Sequence, residues 1–178
     1  MKNTDIAVVD YGMGNLRSVA KALEHVAPGK SIVISSNPEE IASAGRVVFP
    51  GQGAMPDCMR ELDARGLRAA VLDAANNKPF LGICIGLQML FEHSEEGDAA
   101  GLGLFKGQVR RFATADMHDC HGDKLKVPHM GWNTVRFVQP ESPLAAGLAT
   151  EGENFYFVHS FHCVPAERPL VLAECDYG

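Results

Sequence analysis

Short apolar runs alternate with segments of helical hydrophobic spacing through the first ninety residues of the chain. Runs of this length, bounded by glycine, proline or polar residues, are typical of strands buried on both faces. Apolar residues spaced three and four apart predict the helices between them. Strands are predicted at 6–9, 31–35, 46–49 and 80–83, and helices at 15–26, 38–44 and, with a break near Gly66, 55–75. This alternation predicts a parallel, doubly wound sheet with flanking helices.

The second half of the chain has a different pattern. Loops rather than long helices separate its apolar runs, and the segment 97–107 is rich in glycine. Strands are predicted at 108–112, 134–138, 154–158 and 171–175. We therefore expect an antiparallel extension of the fold. Because the chain shows no internal repeat or interdomain linker, residues 1–178 are interpreted as a single domain.

Cys84 stands between the fourth predicted strand and a helical pattern, with Gly82 and Gly86 two residues away on either side. Gly-x-Cys-x-Gly is the thiol form of a nucleophile elbow, in which the nucleophile occupies a strained turn. A helix that continues through Leu90 and Phe91 would point free N–H groups at the sulfur and favour the thiolate. The alternative is a buried structural cysteine, and the glycine spacing favours the nucleophile.

A second glycine turn, Pro-Gly-Gln-Gly at 50–53, follows the third predicted strand. Its small residues leave backbone N–H groups exposed, and such groups can stabilise an oxyanion. An ordinary turn explains this segment equally well. Sites in doubly wound sheets form beyond the carboxyl ends of the strands, so we expect Gly12, Gly51 and Cys84 on one rim. Gly12 and Gly14 lack the third glycine of a dinucleotide fingerprint.

Composition narrows the class of protein further. With 46% hydrophobic residues, 21% charged residues and a net charge of −6, the chain fits a globular protein that binds neither nucleic acid nor anionic membranes nonspecifically. The amino-terminal apolar run is too short for a signal peptide, so a cytoplasmic location is expected. Five scattered cysteines predict reduced thiols. Cys120 with His118 and His121 is interpreted as a polar loop, and no metal site is predicted.

Five segments together resemble one known family. They are DYGMGNL at 10–16, PGQG at 50–53, GICIGLQ at 82–88, PHMGWN at 128–133 and YFVHS at 156–160. The second and third are similar to class I (triad) glutamine amidotransferases, which have a flavodoxin-like fold. The other three resemble, within that class, the glutaminase subunits of bacterial imidazole glycerol phosphate synthase, a lyase of histidine biosynthesis.

The resemblance implies a reaction and a partner. Cys84 would attack the side-chain amide of glutamine, and hydrolysis of the thioester would release glutamate. Ammonia would pass to a (β/α)8-barrel cyclase subunit in a heterodimer, without a cofactor. The resemblance also implies roles for eleven further residues: oxyanion and substrate binding by Gly51, Gln52, Gly53, Ile85, Gln88, His159 and Ser160, and contact with the cyclase by Asn15, Trp132, Asn133 and Tyr156. For Trp132 and Tyr156, core packing is the alternative.

The sequence departs from the family in one respect. The family completes its triad with a Phe-His-Pro-Glu motif after two further strands, and this sequence ends at Gly178 before that motif. We therefore expect that the C-terminal strands and helix of the domain are missing, that the natural chain is longer, and that glutaminase activity is impaired without a general base. His93 and Glu95 have the His-x-Glu spacing but follow the elbow too closely to face Cys84.

Two other functions fit the same residues. The chain could be the amidotransferase domain of a different synthase, which would be distinguished by the partner that co-purifies with it. It could also be a noncatalytic scaffold of the same fold, in which Cys84 would not react with glutamine-like electrophiles.

Overall fold

A computed structural model describes residues 4–113, 117–118, 122–148 and 152–178. The chain divides into two compact units, Met1–Phe105 and Lys106–Gly178. Cys120 and His121, two members of the polar histidine-containing loop, lie outside the described residues. None of the described helices has the length and apolar character needed to span a bilayer.

The first unit is built on a four-stranded parallel sheet. Its strands are β1 (Ile6–Val9), β2 (Ile32–Ser35), β3 (Arg46–Gly51) and β4 (Phe80–Cys84), in the order β2-β1-β3-β4. All three pairings are parallel, and Gly51 is the register partner of Cys84. The four strands predicted from the apolar runs are therefore confirmed. The parallel arrangement brings the carboxyl ends of β3 and β4 to one edge of the sheet.

Helices cover both faces of this sheet, as the alternation predicted. They are α1 (Leu16–Val26), α2 (Pro38–Ser43), α3 (Met55–Ala64) and α4 (Arg68–Asn77). Leu16, Val19 and Leu23 of α1 pack against one face of the sheet, formed by Ile6, Val8 and Val48. The other three helices contribute to a second cluster with Val9, Val47 and Phe49. Side chains of a strand alternate between faces, so a single apolar run serves both clusters.

Asparagine caps begin two of these helices. The side chain of Asn37 accepts a hydrogen bond from the Glu39 N–H, and Pro38 lies in the first turn of α2. The side chain of Asn15 accepts a hydrogen bond from the Ser18 N–H at the start of α1. Gly66, with φ +66°, separates α3 from α4. These caps and the left-handed glycine explain why the helix boundaries were readable from the sequence.

The helix after Cys84 is shorter than its apolar spacing predicted. Helix α5 (Ile85–Gln88) has only four residues, and Phe91 begins a strand, β5 (Phe91–Ser94). The segment 101–105 occupies the carbonyl groups that a longer helix would use. The Leu102 N–H donates to the Met89 carbonyl, and the Leu104 N–H donates to the Leu90 carbonyl. The prediction that Leu90 and Phe91 continue the helix was wrong, because both are buried beyond its end instead. So short a helix adds little dipole at Cys84.

The remaining strands are antiparallel. In the first unit β5 pairs with β6 (Ala99–Ala100), and β7 (Phe105–Arg111) continues into the second unit. The second unit contains β8 (His129–Phe137), β9 (Glu153–His159), β10 (Phe161–Pro165) and β11 (Ala173–Glu174). Pairs form between β7 and β10, β8 and β9, and β8 and β11. The antiparallel extension is confirmed, but β10 was missed and the predicted strand 171–175 is reduced to two residues.

Candidate active site

Cys84 occupies a strained turn at the carboxyl end of β4. Its backbone has φ +56° and ψ −120°, a positive-φ conformation that non-glycine residues rarely adopt. Such strain persists only where the surrounding structure enforces it, and it is typical of functional turns. The residue is also exposed. The elbow geometry predicted from the glycine spacing is therefore present, with the residue open to solvent.

Glycine allows the elbow helix to lie directly on the neighbouring strand. A Cβ atom on Gly86 would lie 1.9 Å from the Phe49 carbonyl oxygen, and one on Gly51 would lie 2.6 Å from the Gly86 nitrogen. Neither distance is sterically possible for a larger residue. Close backbone contact between α5 and β3 is thus what holds Cys84 beside the end of β3.

The turn Gly51–Gln52–Gly53 follows directly from the strand position opposite Cys84. Gly51 is buried, whereas Gln52 and Gly53 are exposed. The first glycine turn lies close by, because a Cβ on Gly14 would lie 3.7 Å from the Pro50 Cβ and 3.9 Å from the Gly51 nitrogen. The structure therefore brings the glycine turn after β1, the turn after β3 and Cys84 to one rim of the sheet, as predicted.

The other elbow residues lie in α5. Ile85 and Gln88 are both buried, at 7% and 8% exposure. Ile85 packs in the larger hydrophobic cluster of the first unit. Its backbone amide directly follows Cys84, which is the position expected of an oxyanion donor. Substrate contact by Gln88 stays a prediction.

Burial separates Cys84 from the other cysteine of the first unit. Cys58 of α3 is completely buried, and this burial raises the pKa of its thiol. The thiolate is the nucleophile that attacks an alkylating reagent. Cys84 is therefore expected to be the more reactive of the two thiols.

We predict that iodoacetamide modifies Cys84 at least about ten times faster than Cys58 in the native protein, because the reagent reaches Cys58 only after local opening. Peptide mass spectrometry of samples quenched over time measures both rates. In denaturant, where both thiols are exposed, the two rates are expected to converge. Equal rates in the native protein would contradict the placement of Cys58 in the core.

In the second unit, His159 ends β9 and Ser160 follows it. The His159 Nδ1 lies 2.8 Å from the Phe161 carbonyl oxygen, and its Nε2 lies 3.3 Å from the His129 Nδ1. A carbonyl oxygen can only accept, so the His159 Nδ1 carries the proton. In the neutral pair the His129 Nδ1–H then donates to the His159 Nε2. This bond ties β8 to β9 at the register position where the two histidines pair.

A cleft of about 620 Å³ adjoins this histidine pair. Stacked aromatic rings line this cleft. The ring centroids of His129 and Tyr177 lie 3.7 Å apart, and those of Phe112 and His162 lie 4.8 Å apart. His159 also lines the cleft. The substrate role expected of the main chain at His159 and Ser160 stays a prediction.

Burial and the neighbouring His159 lower the pKa of His129. Because the His129 pKa is lower in the folded than in the unfolded protein, protonation of this histidine favours unfolding. The contribution of neutral His129 to folding stability is therefore complete above about pH 6.5, the unfolded pKa, and is lost as pH falls through the folded pKa.

We therefore predict that the unfolding free energy falls between pH 7 and pH 5, and that His129→Gln makes this dependence shallower. Fluorescence of Trp132, the single tryptophan, reports the transition from the same strand. His25→Gln, which changes an exposed histidine of α1, is the control and keeps the wild-type slope. An unchanged slope in the His129 variant would refute the prediction.

The residues expected at a partner interface lie in different environments. Trp132 and Tyr156 are register partners, are 72% and 56% exposed, and have ring centroids 5.7 Å apart. They therefore form an exposed aromatic pair rather than core. Asn133 lies on the opposite face of β8, where its amide donates to the Asp176 carbonyl. Asn15 is exposed and caps α1. The interface roles of all four residues stay predictions.

Two remaining candidates from the sequence have other surroundings. The His93 Nε2 lies 2.9 Å from a carboxylate oxygen of Asp98, which is almost fully exposed. This contact lies in β5 and its following turn. His118 forms an isolated bridge with Lys124. Within the described ranges, no group of three potential histidine, cysteine or carboxylate ligands could hold a metal ion.

The structure also brings residues to the site that had no assigned role. Tyr11 and Cys58 lie beneath the Gly51–Gly53 turn, and Glu96 accepts a hydrogen bond from the Met55 N–H just beyond it. Tyr11 was visible only as part of the 10–16 motif. Cys58 and Glu96 carry no sequence signal, because their roles depend on contacts made by the folded backbone.

Comparison with known proteins gives consistent matches. The family model for class-I glutamine amidotransferases matches residues 7–176. The chain is 63% identical over 173 residues to "Imidazole glycerol phosphate synthase subunit HisH" of Dechloromonas aromatica, covering 97% of this chain and 79% of the relative. It is 62% identical to the protein of the same name from Aromatoleum aromaticum, with 98% and 82% covered. The Neisseria gonorrhoeae protein of that name is 53% identical, with 96% and 81% covered.

Solved structures show the same fold. A crystal structure of a glutamine amidotransferase superposes with a TM-score of 0.64 at 15% identity, covering 94% of this chain and 78% of that one. A protein from Thermoplasma acidophilum described as a GMP synthase component also has a TM-score of 0.64, at 16% identity, with 98% and 74% covered. At these identities the likeness concerns the fold alone.

Proposed function

Because the chain belongs to the class I glutamine amidotransferase family, we propose that it is the glutaminase subunit of an imidazole glycerol phosphate synthase in histidine biosynthesis. The observation that carries this proposal is the strained, exposed Cys84 beside the Gly51–Gly53 turn. The relatives named for that synthase support the substrate and the pathway. The family model runs through both compact units, so we also propose that they form one amidotransferase domain.

Cys84 is the nucleophile in this proposal. Its sulfur attacks the side-chain carbonyl carbon of glutamine, and the carbonyl oxygen takes up negative charge. The C–N bond then breaks, the nitrogen leaves as ammonia after gaining a proton, and a glutamyl thioester remains. Water adds to the thioester carbonyl, the C–S bond breaks, and glutamate and the thiol are released.

Backbone amides serve the oxyanion in this mechanism. The turn Gly51–Gln52–Gly53 and the Ile85 N–H flank Cys84 from β3 and α5. Donors of this kind act when charge develops in the transition state, and they require no side chain. Gln88 and the main chain at His159 and Ser160 are proposed to hold the glutamine. We assign no described histidine as the general base.

The ammonia is proposed to pass to a cyclase subunit of (β/α)8-barrel type within a cytoplasmic heterodimer. The exposed Trp132–Tyr156 pair supports an interface on this face of β8 and β9, since exposed aromatic residues are enriched at protein–protein contacts. Asn15 and Asn133 are proposed to contribute polar contacts there.

Glutamate release from glutamine by the full-length protein, measured with the cyclase and its ligand present, tests the proposed function. Release that requires the cyclase supports it. Co-purification with a different synthase, together with release that the cyclase does not change, would favour another class I amidotransferase. Failure of a glutamine-like diazoketone to label Cys84 in the complex would favour a noncatalytic scaffold.

The proposed interface has a test of its own. Trp132→Ala is expected to weaken assembly with the cyclase by about tenfold or more, because exposed tryptophans are common binding hot spots. Leu144→Ala, which changes a residue exposed elsewhere in the second unit, is expected to leave assembly unchanged. Calorimetric titration of the two subunits measures both affinities. Equal affinities for the two variants would contradict an interface at Trp132.

A further inference from the structure

The underside of the Gly51–Gly53 turn rests on two buried polar side chains. Tyr11 is completely buried, and a Cβ atom on Gly51 would lie 2.9 Å from its hydroxyl oxygen. The hydroxyl donates a hydrogen bond to the Met89 sulfur at 3.7 Å. Tyr11 therefore packs directly against Gly51 and prevents the carboxyl end of β3 from moving towards the core.

Cys58 supports the next residue of the turn. Its thiol donates a hydrogen bond to the Gln52 carbonyl oxygen at 3.4 Å. Burial raises the pKa of this thiol, so it remains protonated at neutral pH and keeps its hydrogen to donate. Tyr11 and Cys58 lie in the same hydrophobic cluster, and each of them contacts a different residue of the turn.

The donor itself is held in a fixed position. Cys58 lies in the first turn of α3, where its N–H donates to the Ala54 carbonyl oxygen at 3.1 Å. The Met55 N–H at the start of that helix donates to a Glu96 carboxylate oxygen at 2.8 Å. Ala54 has no side-chain cap to offer, so Glu96 supplies the cap from a distant part of the chain. These hydrogen bonds hold the Cys58 thiol in a fixed position next to the turn.

The hydrogen bond between Cys58 and the Gln52 carbonyl also fixes the direction of the Gly53 N–H. In a trans peptide the C=O and the following N–H lie in one plane and point in opposite directions. Fixing the Gln52 carbonyl towards Cys58 therefore directs the Gly53 N–H away from α3. Gly53 has φ +107° and no side chain to restrict it, so the turn by itself does not select this orientation.

We propose that Tyr11 and Cys58 are positioning residues that hold the Gly51–Gln52–Gly53 turn in the orientation that keeps the Gly53 amide N–H available to the oxyanion. Neither side chain touches the substrate. This inference rests on the proposed glutaminase function and adds to it the residues that preorganise the oxyanion turn.

The test compares Cys58→Ala, Cys58→Ser and Tyr11→Phe with wild type in the complex with the cyclase. Cys58→Ala removes the donor, and Cys58→Ser restores one. We expect Cys58→Ala to lower kcat about threefold to tenfold with KM unchanged, because one hydrogen bond to the turn is lost and its effect appears in the transition state. Cys58→Ser recovers most of kcat. Tyr11→Phe gives a smaller loss in the same direction.

Amide hydrogen exchange of residues 51–54 supplies a readout that does not depend on activity. Exchange there is expected to rise in Cys58→Ala and to return towards wild type in Cys58→Ser. Val71→Ala, which changes the same core without touching the turn, is the control for general loss of stability and keeps kcat unchanged.

Three outcomes would overturn the inference. Unchanged exchange at 51–54 in Cys58→Ala would show that the thiol does not hold the turn. Faster exchange with unchanged kcat would show that catalysis does not depend on this orientation. Equal losses in the alanine and serine variants would mean that packing, rather than the hydrogen bond, matters. A complex of the full-length wild-type protein that releases no glutamate would instead overturn the proposed function, and this inference with it.

Discussion

Cys84→Ser is expected to lower glutamate release from glutamine at least about 10³-fold in the complex of the full-length protein with the cyclase. Serine keeps the size and the elbow backbone, but its hydroxyl ionises far less readily than a thiol, so the nucleophile is lost. The exposed position of Cys84 means that the substitution disturbs no packed core. Steady-state glutamate assays measure the effect.

Cys175→Ser is the matched control for this prediction. Cys175 lies in the second unit just after β11, and burial raises the pKa of its thiol. Its replacement by serine is expected to leave glutamate release within about twofold of wild type. A Cys84→Ser variant that retains more than about a tenth of the activity would refute Cys84 as the nucleophile.

Gly86→Ala is expected to lower the unfolding free energy by about 3 kcal/mol or more. The added Cβ would lie 1.9 Å from the Phe49 carbonyl oxygen. The Cβ is bonded directly to the backbone of α5 and the oxygen belongs to the backbone of β3, so neither can move aside without disrupting the sheet. Relief requires α5 to separate from β3, which also displaces Cys84 from the Gly51–Gly53 turn. Urea unfolding followed by far-UV circular dichroism measures the loss.

Gly45→Ala provides the comparison. Its Cβ would meet the Asp5 carbonyl oxygen at 3.3 Å, a contact that a small shift of the backbone relieves. The expected destabilisation is below about 1 kcal/mol. Equal urea midpoints for the two variants would show that the close contact between α5 and β3 does not exist as described.

Local signals explain which elements were predictable. The four parallel strands are continuous apolar runs bounded by breakers, and α2 begins with the Asn37 cap and Pro38. Those features act within a few residues, so they are readable without the fold. The elbow helix shows the opposite case. Leu87, Leu90 and Phe91 have helical spacing, yet the segment 101–105 takes up the backbone groups that follow the helix.

The candidate site divides in the same way. Cys84 with its flanking glycines, the 50–53 turn and the exposed aromatic pair Trp132–Tyr156 all belong to short motifs. The strained backbone at Cys84 was predictable because the glycines mark where backbone approaches backbone. The positions of Tyr11, Cys58 and Glu96 were not, because each meets its partner through contacts that no local pattern encodes.

By itself, the sequence determined the doubly wound first half, the elbow at Cys84 and the family resemblance, since strand burial, helix caps and motif spacing are local properties. Only the tertiary structure decided where the elbow helix ends, that Asn133 faces away from Trp132, and what lies beneath the oxyanion turn. Hydrogen bonds and close contacts between distant segments select among conformations that the local sequence leaves equally favourable. The nucleophile Cys84 was therefore identifiable from its motif, whereas Tyr11 and Cys58 were identifiable only from the fold.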